Sequence, residues 1–121
     1  MTFRSAFFAA AAIATISTAA LAANPTDPQI AHIAYTAGNL DIAAAKQALA
    51  KSHNKAVRGF AEEMVRDHTA VNDKALALVK KLKVTPEDNA TSQGLTKAAD
   101  AERAKLAKLS GVAFDREYVN N

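Results

Sequence analysis

Three side chains place chemistry on otherwise apolar helical surfaces: His68, Asp41 and Glu102. His68 shares a stripe with Met64 and Val71 and sits beside Asp67, Asp41 follows Leu40 one turn after Ala37, and Glu102 lies between Ala98 and Leu106. Imidazole and carboxylate oxygens would suit several divalent metals, and a histidine at such a place can also exchange protons near neutral pH. The simpler reading makes His68 a boundary histidine bonded to a carboxylate or carbonyl of a neighbouring helix. It leaves Asp41 and Glu102 at stripe edges, paired with lysines such as Lys105 or in water. A dimetal carboxylate centre takes Glu-x-x-His pairs that put both ligands on one helix face a turn apart. Val65 and Met64 precede His68 by three and four residues, and no other Glu-x-x-His occurs. That pattern is absent, and no metal ligand is assigned beyond the candidates His68, Asp41 and Glu102.

The remaining reactive residue types fall where chemistry is hard to build. His32 shares the polar side of its helix with Tyr35, Thr36 and Asn39, and His53 lies in a cap region; both are expected in solvent. Ser52, Ser92 and Ser110 fall in connections, with no nucleophile elbow. Four glycines form no phosphate-binding loop. No enzyme and no bound cofactor is expected, with a divalent metal belonging only to the alternative reading.

Helices must position these groups. The first opens at Thr26 or Asp27 as N-cap with Pro28 in its first turn. Apolar residues then recur at helical spacing from Ile30 to Ala48, and the helix reaches about Lys51. Gly38-Asn39 is a weak point costing about 1 kcal/mol relative to alanine. Ser52-His53-Asn54 offers caps for a second helix. There Val57, Phe60, Ala61, Met64, Val65, His68, Val71, Ala75, Leu78, Val79 and Leu82 form a wide stripe ending near Val84, before Thr85-Pro86 breaks the chain. Residues 85–94 read as a polar connection. A third helix carries Leu95, Ala98, Ala99, Leu106 and Leu109 and ends at Ser110-Gly111, with the glycine as C-terminal cap. Residues 114–119 open a fourth. No alternating strand pattern appears, so the fold class is all-α: an antiparallel bundle of three helices plus the start of a fourth, spanning residues 23–121.

The first 22 residues differ in kind. Arg4, an uncharged apolar run from Phe7 to Leu21 and the small-x-small pattern Ala20-Leu21-Ala22 make a cleavable secretory leader, cut before Ala23. The apolar run is shorter than the roughly 20 residues that span a bilayer. The chain is therefore expected in the periplasm or outside the cell, with membrane contact only through the leader before cleavage. Removing 22 of the 121 residues leaves 99, with 14 basic against 12 acidic side chains, a net charge of +2. Without cysteine there is no disulfide framework. The Lys80, Lys81, Lys83 cluster fits a helix C-terminus as well as an anionic partner, and with no aromatics among these charges no nucleic acid is expected.

Phe60-Ala-Glu-Glu-Met-Val echoes Phe114-Asp-Arg-Glu-Tyr-Val, with Phe, Glu, a large apolar residue and Val at identical spacing. If helices two and four are equivalent, the chain stops one residue short of a match for His68. It then reads as a truncated or short form of a four-helix bundle, its fourth helix too short to be stable. Self-association or an envelope protein partner would compensate.

The stretch KSHNKAVRGFAEEMVRDHTAVN (residues 51–72) and the later LSGVAFDREYV (109–119) resemble two signatures, in order, of a bacterial exported family known only as a domain of unknown function. The resemblance covers most of residues 30–121. It implies a ferritin-like four-helix fold and an exported or outer-membrane setting, and hardly an activity. The family continues into a second acidic-histidine pair on its last helix, a segment this sequence lacks. The expected function is an exported, non-catalytic helical-bundle protein with an envelope interaction or stress-related role. The alternative is a small metal- or ligand-binding bundle using His68 with Asp41 or Glu102.

Overall fold

A computed structural model describes residues 23–121; the expected leader lies outside the described residues. Among the described residues the chain forms four helices and no strand: α1 (Asp27–Lys51), α2 (Lys55–Lys81), α3 (Ala90–Ala107) and α4 (Gly111–Asn120). The all-α bundle read from the sequence is the observed fold.

The first three helices begin where a side chain satisfies free amides. Thr26 accepts from the Gln29 amide while the Gln29 side chain returns the bond, closing a capping box with Pro28 in the first turn. Asn54 accepts from the amides of Ala56 and Val57. Asn89 and Ser92 form a second capping box, so α3 starts at Ala90, inside the segment expected to be a connection. Glycine also plays a different part from the one expected. α3 ends at Ala107, and Gly111 opens α4 with φ +56°, a backbone that favours glycine. The C-terminus of α2 instead places Lys83 in the left-handed region, φ 56°, so that Val84 N–H reaches Val79 O at 2.8 Å.

α1 is the spine. α2 runs antiparallel to it, as the Arg58 bond to Leu49 O and the Asn72 bond to Asn39 require. α3 runs parallel to α1, with Ser92 beside His32 and the α3 C-terminus beside Lys51. That lysine donates to the carbonyls of Leu106, Ala107 and Leu109 at 3.3, 2.7 and 2.6 Å, capping α3 and reaching over the Phe114 ring. α4 turns back against the C-terminal half of α1, tied by Ser52 Oγ donating to Asp115 at 2.5 Å.

α4 is short but packed. Phe114 is fully buried and Tyr118 nearly so, together with Ala45, Ala48, Ala61 and Leu106. The expected opening of a fourth helix is not a bare turn: ten residues form it, and two of their aromatic rings are buried in the core. The internal echo does not mark equivalent positions either. Phe114 is sealed in the core, whereas its counterpart Phe60 is 44% exposed.

Gly38 is buried where α1 meets α2. A Cβ there would collide with the carboxamide of Asn72, which donates to Asn39 Oδ1 at 3.0 Å and to Tyr35 O at 3.4 Å. The residue expected to be a weak point of α1 is what lets the two helices approach.

Candidate functional site

The sequence candidates divide into one contact and one cavity. His68 Nε2 on α2 lies 3.7 Å from Asp41 Oδ2 on α1. This matches the boundary-histidine reading: an ion pair when the imidazole is protonated, too long for a direct hydrogen bond. Asp41 and Glu102 line a cavity of about 170 Å³ whose walls include Leu40, Phe60, Met64, Leu106 and Tyr118, drawn from all four helices. Tyr118 titrates above the usual phenol range, first because it is buried and second because Asp41 is near. Among the described residues no group of three or more His, Cys, Asp and Glu side chains could hold a metal ion. Asp41, His68 and Glu102 therefore do not converge on one point.

Glu102 carries the sharper signal. Its Oε1 is buried with no hydrogen-bond partner. Burial first, and the neighbouring Glu117 second, raise its pKa above the ordinary carboxylate value. Glu117 moves the other way, held down first by Lys105, whose Nζ lies 2.7 Å from Glu117 Oε1. Glu102 is expected beside a lysine such as Lys105 or in water; the turn into α4 brings Glu117 onto Lys105. Glu102 thus holds a proton more readily than an ordinary glutamate, and its buried Oε1 is an unmet acceptor.

A second polar cluster joins α1 to the start of α3. His32, expected in solvent, is half-buried, with Nδ1 2.9 Å from Ser92 Oγ and 3.9 Å from Asp88 Oδ1. Ser92, expected in a connection, is buried in the first turn of α3, its hydroxyl also against Asp88 and Asn89 O, both at 3.0 Å. Asp88 is held below the ordinary carboxylate value by Gln93 first and Ser92 second. The residue types are those of a hydrolase, but the order is wrong. Here serine stands between acid and histidine, whereas nucleophilic catalysis needs histidine between serine and acid. The buried hydroxyl is already engaged in a helix cap, so this cluster locks α3 onto α1. Asp88 and Asn89 were missed because residues 85–94 read only as polar; the Asn89-x-x-Ser92 cap spacing was the available signal. Ser52 and Ser110 are also structural, one bonded to Asp115 and one at the N-cap of α4, while His53 is exposed as expected.

The largest unpartnered feature is on α2. Val57, Ala61 and Asn72 are buried, but Phe60, Val71, Leu78 and Leu82 are 44, 61, 55 and 61% exposed. α2 packs extensively only on α1, because α4 covers only the end of the bundle near Val57 and Ala61. No described helix is long and apolar enough to cross a membrane.

These features define an all-α four-helix bundle with a small, partly open cavity and an open apolar helix face. The chain belongs to the family described as a domain of unknown function (DUF4142), whose model matches residues 12–121. No curated protein and no solved structure matches it.

Proposed function

We propose that this protein is an exported, non-catalytic helical bundle that works by interaction, in a binding or stress-related role in the cell envelope. The observation that carries the proposal is the row of large apolar side chains, Val71, Leu78 and Leu82, in water on the distal half of α2. Soluble monomers rarely leave such residues aligned on one element, and contiguous apolar surface marks an interaction site. The leader pattern of residues 1–22 supports export. The polar clusters support the non-catalytic part, since their hydroxyls and carboxylates are engaged in capping and pairing between helices.

Replacing both Val71 and Leu78 with glutamate tests this. The side chains are exposed, so the variant keeps the helical signal and melting temperature of the parent. In a periplasmic extract the parent elutes as a species larger than one chain, and the variant as a single chain. Elution of the parent as a single chain, or retention of the leader on the mature protein, contradicts the proposal.

The cavity lined by Asp41 and Glu102 favours a second reading, a small ligand with hydrogen-bond donors for these carboxyl groups. Metal titration separates it from metal binding. A divalent ion that raises the melting temperature of the parent but not of His68→Ala identifies a metal site. No shift in either leaves the cavity to organic ligands.

A further inference from the structure

The exposed stripe of α2 has an internal symmetry. Phe60 and Leu82 lie eleven residues on either side of Val71, Met64 and Leu78 lie seven on either side, and Asp67 and Lys74 fill the two steps nearest the centre. The steps along Phe60, Met64, Asp67, Val71, Lys74 and Leu78 alternate between four and three, the spacing of a helix–helix seam, and a further step of four reaches Leu82. At 100° per residue this line is turned about 100° from the line of Val65, Asn72 and Val79 that meets α1. It is thus a separate face of α2, and except for half-buried Met64 its residues are exposed.

We propose that the partner of this face is a second copy of the chain, bound with its α2 antiparallel to the first on a two-fold axis beside Val71. Every step of the stripe then meets a suitable step of its mate. Phe60 meets Leu82 of the partner subunit, Met64 meets Leu78 of the partner subunit, and Val71 meets its own copy. Asp67, which already accepts from Arg66 Nε at 3.0 Å, lies one residue out of register with Lys74 of the partner subunit, about 1.5 Å along the axis and within reach of an ion pair, and the two-fold repeats that pair on the other side. A parallel pairing would set Asp67 against Asp67 and Lys74 against Lys74, so the two charges select the antiparallel arrangement. The contact runs about 33 Å along the helix. It begins at Phe60, which is edge-on to Tyr118 of α4, and extends over the distal half of α2, whose outer face α1, α3 and α4 leave open. The inference rests on the interaction reading above and names its partner.

Sedimentation equilibrium of the protein as isolated from expressing cells tests the pairing, with circular dichroism to show that each variant is folded. The parent forms a dimer that weakens as salt is raised. Asp67→Lys and Lys74→Asp each replace two attractions by two repulsions and raise the dissociation constant about tenfold or more. The double variant D67K/K74D exchanges the charges and returns the constant to within about threefold of the parent. A dimer indifferent to both single variants, or not rescued by the exchange, overturns the pairing. A parent that stays monomeric while α2 engages a different protein overturns the pairing but leaves the interaction reading standing.

Discussion

Gly38 and Asn72 hold the two longest helices together as a lock and its recess. The Asn72 side chain is nearly sealed, and both of its recorded bonds go to α1. Gly38→Ala forces a methyl group into that carboxamide, so Asn72 must leave its bonds or α2 must move. The expected cost is about 1–3 kcal/mol of stability, the range for overpacking a close contact, read as a lower urea midpoint. On an isolated helix the same substitution would stabilise by about 1 kcal/mol, so the sign of the change decides between the two accounts. The sequence offers little to distinguish these cases, since a glycine in a helical pattern looks the same in solvent as under a neighbouring side chain. His68 was more legible: a polar residue on an apolar stripe needs a partner across the interface, and Asp41 is that partner. His32 was not, because the apolar pattern of α1 does not say which of its polar residues α3 will cover.

At the scale of elements, α1 and α2 could be read almost to the residue because caps and apolar spacing agree. Thr26 and Asn54 start helices in the structure as their residue types suggest. The third element was displaced because its first turn has no large apolar residue, and its start rests on the Asn89–Ser92 box and its bonds to α1. α4 shows what pattern cannot supply, since Phe114 and Phe60 open similar local patterns but differ in burial. Topology decides between them: α4 folds back into the groove beside Leu106, while α2 leaves Phe60 at its rim.

The α3–α4 junction also makes a prediction about pH. Glu102 is protonated more readily in the folded chain than in the unfolded one, so its contribution to stability falls as pH rises from the ordinary glutamate value of 4.5 through its raised pKa. Glu117, held down by Lys105, stabilises the fold above the ordinary value and loses that contribution as pH falls through its lowered pKa. Glu102→Gln removes the first effect and lets an amide donate to Glu117. The variant melts at or above the parent at pH 7, and its advantage shrinks as pH is lowered toward 4. An advantage that grows with acid would contradict the upward shift of Glu102.

For the whole molecule, the buried apolar set is small for a chain of this length. It gathers at one end, around Phe114, Leu106 and the alanines of α1. The other end is held by polar locks, Asn72 with Asn39 and His32 with Ser92 and Asp88, and leaves the outer face of α2 uncovered. The wide stripe of the second helix signalled that more than one partner was needed. Only the fold divides it into a strip spent on α1 and a strip left in water. Here the central claim is that the left-over strip is the working surface. Its most direct measurement is photo-crosslinking in living cells from a single reactive residue placed in turn at Leu78, on the strip, and at Asp73, on the far side of the same helix. Cross-linked species from Leu78 and none from Asp73 are predicted; equal yields from both positions, or none from either, would contradict it.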